Sequence, residues 1–182
     1  MCGIGVTSVT RAAPANLSQD EQWKEFASAK YHFTVQYPAS WYRLRDTRDI
    51  LDITNFERSG PQDGIATKVA GAEITVNGAL PGIKDADDWI RRDLPDSDDI
   101  AASVQNIRIP QPADGGCTKL KRAAWREALS PDAYFSETVY YCTTAAGLYK
   151  VSLLNWESDP RQNELRQLAL KITLTLRAGQ NR

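Results

Sequence analysis

Hydrophobic positions along this chain change period several times, and each change marks an element. Phe33, Val35 and Tyr37 alternate with His32, Thr34 and Gln36. A period of two sends side chains to opposite faces, so this is a half-buried strand. Pro38 stops it, because proline brings no N–H to a ladder. Trp41 restarts the chain as a second extended piece. Leu51 and Ile53 head a strand over 50–56, and Ala70, Ala72, Ile74 and Val76 alternate with Gly71, Glu73 and Thr75 as another. Before them, Ser18 and Glu21 form an S-x-x-E capping box ahead of Trp23, Phe26 and Ala27 at helical spacing, which predicts a short helix over 19–28. Asp85 caps a second helix whose apolar stripe is Ala86, Trp89, Ile90 and Leu94, and Pro95 ends it.

The C-terminal half reads mostly as strand. Residues 102–109 are extended, with Ile107 and Ile109 on one face. Pro110, Pro112 and Gly115-Gly116 make a loop. Residues 117–128 and 134–143 form a hairpin, and 147–156 follow with Tyr149, Val151 and Leu153 facing together. Asp159 as cap and Pro160 at the first helical position start the last helix. Its apolar seam is Leu165, Leu168, Ala169, Ile172 and Leu176. The order is therefore helix, three strands, helix, four strands, helix. Hairpin-linked strands imply a mainly antiparallel sheet, and the amphipathic helices need that sheet as a partner. The expected class is α+β: an antiparallel sheet covered by helices, one domain over 17–178, preceded by a flexible arm or tether over 1–16.

Size and charge narrow the function. The chain has 182 residues, 42% of them hydrophobic and 25% charged, which is a globular composition. Lys and Arg number 22 against 23 Asp and Glu, for a net charge of −1. A nucleic-acid domain carries a basic excess, so nucleic acid is not an expected partner. No apolar run approaches the roughly 20 residues that span a bilayer. The single histidine excludes any two-His zinc site and any second imidazole base. No G-x-S-x-G, P-loop or G-x-G-x-x-G occurs, and no cofactor is implied.

The three cysteines bear on compartment. Cys117 and Cys142 flank the expected hairpin, so they can approach each other, and in an oxidising compartment they would form a disulfide. The register is a caution: direct opposition needs a turn near Leu129-Ser130, whereas the turn signal is Ser130-Pro131-Asp132, and a bulge would reconcile the two. The alternative is a pair of small buried thiols in the cytosol. Cys2 follows Met1 and precedes a small, polar stretch running through Pro14 to Asn16. It fits the lipid-bearing cysteine of a bacterial lipoprotein with a tether behind it, or a plain cysteine on a tail.

The segment Tyr31-His32-Phe33-Thr34-Val35-Gln36-Tyr37-Pro38-Ala39-Ser40-Trp41 resembles the opening F-x-(V/I)-x-Y-P-x-x-W of PsbP-like proteins. Its physical content is a strand end, a proline stop and an aromatic folding back onto the sheet. The strand order after it and the final amphipathic helix are similar too, over most of 23–177. The resemblance implies an α/β/α sandwich and a role in binding or assembly. Members include a lumenal extrinsic subunit of photosystem II, bacterial lipoproteins and a nuclear-transport factor. The family pattern holds no catalytic residues to carry over, and no metal-ligand set matches here.

Several constellations remain. Asp85, Asp87, Asp88, Asp93, Asp96, Asp98 and Asp99 crowd one stretch, but without the glycine and glutamate of an EF-hand loop. Asp85 and Asp88 complement a helix N-terminus. Asp96, Asp98 and Asp99 read as a solvated loop, or as an acidic docking face for a basic partner. A His32–Cys117 dyad has no local support, and alternation leaves the imidazole exposed. Lys119 and Lys121 share one strand face, and Arg122 and Arg126 share the other. A basic stripe for phosphates is conceivable there, although the split reads as ordinary strand-edge charge. Trp23, Trp89 and Trp125 fall on patterned core faces, whereas Trp41 and Trp156 sit near strand ends and are the rim candidates for binding.

These features lead to one expectation and two alternatives. The expectation is a non-enzymatic extracytoplasmic binding or assembly module, a bacterial lipoprotein anchored in the membrane by lipid alone, with a protein partner in the cell envelope. The alternatives are a small hydrolase-like enzyme using carboxylates and tyrosines in a pocket of the sheet, and a cytosolic adaptor that binds protein through its acidic loop.

Overall fold

Two central strands show the period-two pattern most plainly. β5 (Ala72–Gly78) buries every second side chain from Ala72 to Gly78, and β9 (Leu148–Trp156) buries Tyr149, Val151, Leu153 and Asn155 in the same rhythm. They pair antiparallel from Ala72 opposite Asn155 to Gly78 opposite Tyr149. The computed structural model describes residues 22–44, 47–58, 71–94, 103–109, 114–130 and 133–179. The arm over 1–16, Cys2, Asp96, Asp98 and Asp99 lie outside the described residues.

The other described elements are β1 (Trp23–Ser28), β2 (Phe33–Pro38), β3 (Tyr42–Arg43), β4 (Leu51–Thr54), α1 (Ala86–Asp93), β6 (Ser103–Asn106), β7 (Lys119–Ser130), β8 (Ala133–Thr143), α2 (Gln162–Thr175) and β10 (Arg177–Ala178). Among the described residues, β3-β4-β5-β9-β8-β7-β6 form one antiparallel sheet in that order, and β1-β2-β10 form a smaller one.

The large sheet lies between two layers. On one face α2 buries Leu165, Leu168, Ala169 and Ile172 against Ile74, Val76, Val151 and Leu153, with Phe26, Phe33 and Val35 of the small sheet in the same core. On the other face α1 buries Ala86, Trp89 and Ile90 against Ala123, Trp125, Val139 and Tyr141. β8 serves both cores, which is why Val139 to Cys142 are buried without alternation. This is the expected antiparallel α+β arrangement.

Three details differ from the sequence reading. The segment 23–28 is a strand, not a helix: β1 pairs with β2 from Trp23 opposite Pro38 to Ser28 opposite Phe33. Phe26 and Ser28 are buried while Ala27 is exposed, so the period is two. Burial of Phe26 against Phe33, with ring centroids 5.9 Å apart, outweighs the local capping signal. α2 begins at Gln162, two residues after Pro160, although Asp159 still accepts the backbone N–H of Arg161 at 2.8 Å, the contact expected of a capping aspartate. Finally, the chain after α2 adds β10, which pairs with Thr34 and Phe33 of β2.

The disulfide between Cys117 and Cys142 is formed, with Cα atoms 5.3 Å apart and both residues buried. It is not a directly opposed pair. Leu120 stands opposite Cys142, and a register shift occurs between Ala128 and Ser130, where the sequence asks for a bulge. Cys117 reaches its partner from the segment that leads into β7. A His32–Cys117 dyad is thereby excluded, since the bonded sulfur offers no thiolate. His32 is exposed, in the turn between β1 and β2, at a φ of 52°.

Candidate functional site

The richest chemistry lies on the α1 face of the large sheet. Asp85 caps α1 by accepting from the Asp88 backbone N at 2.7 Å. Eight residues later the helix ends on Asp93, an acid at the end where the helix dipole disfavours one. The sheet supplies the compensation. Asp93 Oδ2 accepts from Lys150 Nζ at 2.8 Å and from the Tyr141 hydroxyl at 2.8 Å. Tyr141 and Lys150 are cross-strand partners in the β8–β9 ladder, so register alone puts both donors under one oxygen. Lys150 Nζ also sits 5.2 Å above the Trp89 ring, and Trp89 meets Tyr141 edge-on at 5.9 Å. Burial first, and then the Asp93 charge, push the Tyr141 phenol far above its ordinary range, so it stays a neutral donor. Lys121 of β7 pairs with Asp87 and pins the same helix a second time.

Glu137 lies on this face two positions before Val139, opposite Trp125 on one side and Leu154 on the other. Burial raises its carboxyl to about 7; Lys150 pulls it down, while Asp93 and Glu127 push it up. The same cross-strand row continues through Leu154 to Glu73 of β5. Glu73 and Asp52 share Arg58, whose Nη2 stands 2.6 Å from Glu73 Oε2 and 3.5 Å from Asp52 Oδ1. Burial raises both carboxyls, against the pull of Arg58. Chemically, Glu137 can gain or lose a proton near neutral pH, whereas Asp93, Lys150 and Tyr141 are committed to one another and to seating α1. Among the described residues no three His, Cys, Asp or Glu side chains are gathered for a metal ion.

A second feature is an open groove of about 490 Å³, lined among others by Lys30, Tyr31, Leu80, Lys84, Gly147 and Tyr149. The Tyr149 hydroxyl donates to the Tyr31 carbonyl at 3.3 Å across its floor. Leu80 stands at its rim, 59% exposed.

The structure separates the residues that the sequence put forward for binding. Trp41 is buried in the main core at 8% exposure, in the turn after Pro38, where its backbone N–H donates to the Pro38 carbonyl at 3.1 Å. Trp156 is half-buried at the end of β9, with its ring centroid 4.5 Å from that of Phe135. Trp89 and Trp125 are core residues, and Trp23 lies at the core margin beneath Lys171. The pairing of Asp93, Lys150 and Tyr141 was missed in the sequence. Each looks like an ordinary polar residue until the strand register brings them together. Glu137 did carry a signal, being the one acid in the alternating run Phe135, Glu137, Val139, Tyr141.

No family model matches the chain, and no curated protein matches it. Two solved structures are similar to it in fold. One, from Bacteroides thetaiotaomicron, aligns with 87% of this chain and 49% of that one at 14% identity and a TM-score of 0.49, so this chain spans about half its length. The other is the solution structure of the cyanobacterial PsbP of Synechocystis, which aligns with 93% of this chain and 98% of that one at 11% identity and a TM-score of 0.46. Neither likeness carries an activity, ligand or partner over to this chain.

Proposed function

We propose that this chain is a non-enzymatic binding or assembly module that works outside the cytoplasm, held to a bacterial membrane by a lipid on Cys2 and docking a protein partner of the envelope. One observation carries the reading: the Cys117–Cys142 bond, buried in the main core. Disulfides persist in oxidising compartments and are rare in a reducing cytosol. The binding role draws support from the α1 face, where Asp93, Lys150 and Tyr141 are spent on each other. Of the described helices, none is long and apolar enough to cross a membrane. Asp96, Asp98 and Asp99 are proposed as the acidic part of the docking face, with Trp156 at its apolar part. The test is the intact mass of the native protein, before and after reduction. An acyl mass on Cys2 and a gain of about two mass units on reduction are expected. An unmodified chain with free thiols would overturn the compartment and bring the cytosolic adaptor forward.

A second reading, a small hydrolase working from the α1 face, has Glu137 in its favour: a half-buried carboxyl raised to about 7 is suited to general acid–base work. Ester or amide turnover that disappears in Glu137→Gln while the fold is kept would establish it.

A further inference from the structure

The opposite face of the sheet holds an imbalance of charge. α2 lies over β8 and β9, and beside it β7 presents Arg122, Ala124 and Arg126 on the same face. Arg122 stands opposite Tyr140 in the β7–β8 ladder, Ala124 opposite Thr138 and Arg126 opposite Ser136. From the helix side Arg166 reaches into the same place: its Nη2 is 3.4 Å from Ser136 Oγ and 2.9 Å from Gln162 Oε1, and its carbonyl accepts from the Tyr140 hydroxyl at 3.0 Å. Arg122 Nη2 donates to Gln105 Oε1 at 2.8 Å. Neither arginine forms an ion pair among the described residues, and both residues are half-buried, the Arg122–Gln105 contact lying at the surface. Both positive charges act on the Tyr140 phenol, which burial keeps neutral.

Two donors at this place have no acceptor among the described residues. Arg122 Nε is buried and unpartnered, and so is Oγ1 of Thr138, a residue with 0% exposure. Buried donors are ordinarily satisfied, and these two cations have no anionic side chain to face. Two forked cations, an unpaired N–H and the unpaired Thr138 hydroxyl thus meet at this place, with Asn155 Oδ1, opposite Ser136, as the buried acceptor beside them that also has no partner. Tetrahedral oxyanions supply several acceptors and the missing negative charge, and arginine binds them in two-pronged fashion.

We propose that Arg122 and Arg166, with Thr138 and Ser136 beneath them, form a site for a phosphate or sulfate group, either as a free anion or as the head of a lipid. Arg122 and Arg166 grip it from the sheet and the helix, and Arg126, 59% exposed and 4.0 Å from Glu157, guards the outer end. The site is independent of the compartment and of the lipid on Cys2.

The experiment titrates the full chain with sodium phosphate and sodium sulfate, against sodium chloride at matched ionic strength. The readouts are the melting temperature and the Arg122 Nε–H resonance in a side-chain NMR spectrum. A saturable rise in melting temperature with phosphate or sulfate, a shift of that resonance, and a loss of at least about tenfold in affinity in Arg122→Gln are expected. Vesicles of phosphatidylcholine with and without phosphatidic acid form the second arm. Binding that needs phosphatidic acid and is lost in Arg122→Gln assigns the site to a headgroup, and binding of the free ion alone assigns it to a soluble anion. Arg166→Lys serves where Arg166→Gln disturbs α2, and is expected to weaken binding while the melting temperature without anion is kept. No saturable response in either arm, or equal affinity in Arg122→Gln, overturns the site.

Discussion

Gly78 lies against the ring of Tyr31 so closely that a β-carbon on Gly78 would stand 2.6 Å from Tyr31 Cδ1. The missing side chain is what lets the tyrosine cross the end of β5 and form one wall of the groove. Gly78→Ala is expected to lose about 1–3 kcal/mol through overpacking. Urea unfolding measures this, and the loss should shrink in the double variant with Tyr31→Ala. A single variant as stable as the parent would mean that the ring moves aside freely.

The Asp93 network makes a claim about α1. Asp93 and Lys150 have side chains only 18% and 19% exposed, so removing one partner strands the other out of water. Asp93→Asn is expected to cost about 1–3 kcal/mol. Its effect and that of Lys150→Met should be non-additive by about 1 kcal/mol in a double-mutant cycle. Simple additivity would show that the two groups do not support α1 together.

Glu137 sets a pH dependence whose sign follows from its raised carboxyl. In the folded chain it titrates at about 7, against 4.5 for the free side chain. Between those values the folded state holds a proton that the unfolded state has released. Stability from this group is therefore complete below about pH 4.5 and is lost as pH rises through 7. Asp52 and Glu73, raised by burial, act in the same direction. Glu137→Gln removes the largest of these slopes and is expected to be more stable than the parent at pH 8 by about 1–3 kcal/mol. Melting temperatures from pH 5 to 8 decide it; parallel curves for the two proteins would refute it.

The disulfide closes a loop with a sequence separation of 25. Constraint of the unfolded chain over that length is worth about 3.5 kcal/mol. The double variant Cys117→Ser with Cys142→Ser should lose about that much in urea unfolding, and reduced parent protein should lose a similar amount. If reduction leaves the midpoint unchanged, the bond contributes nothing to the fold.

Much of this architecture was legible in the sequence because its signals are local. Asp85 announces α1 through the hydrogen bond that it makes, and alternation in 72–78 and 148–156 marks strands that are paired throughout. What misled was information held at long range. Trp23, Phe26 and Ala27 satisfy a helix by spacing, and only pairing with 33–38 makes them a strand. Arg177 and Ala178 show no pattern of their own, yet they complete the small sheet because α2 delivers them to β2. The site residues follow the same rule. Cys117 and Cys142 were placed by proximity along a hairpin, whereas Tyr141 and Lys150 become neighbours only through the β8–β9 register.

The bond between Cys117 and Cys142 also sets an order of assembly. β7 and β8 are consecutive in the chain, so their ladder closes a short loop, while β5 must find β9 across some of the longest separations in the fold. Local contacts form before distant ones because their loop-closure cost is smaller. The two thiols are thus brought within reach while β1 to β5 can still search for their places, and trapping free thiols at successive times of refolding would read that order. Once oxidised, the hairpin is a closed platform, and the N-terminal half of the chain folds onto it.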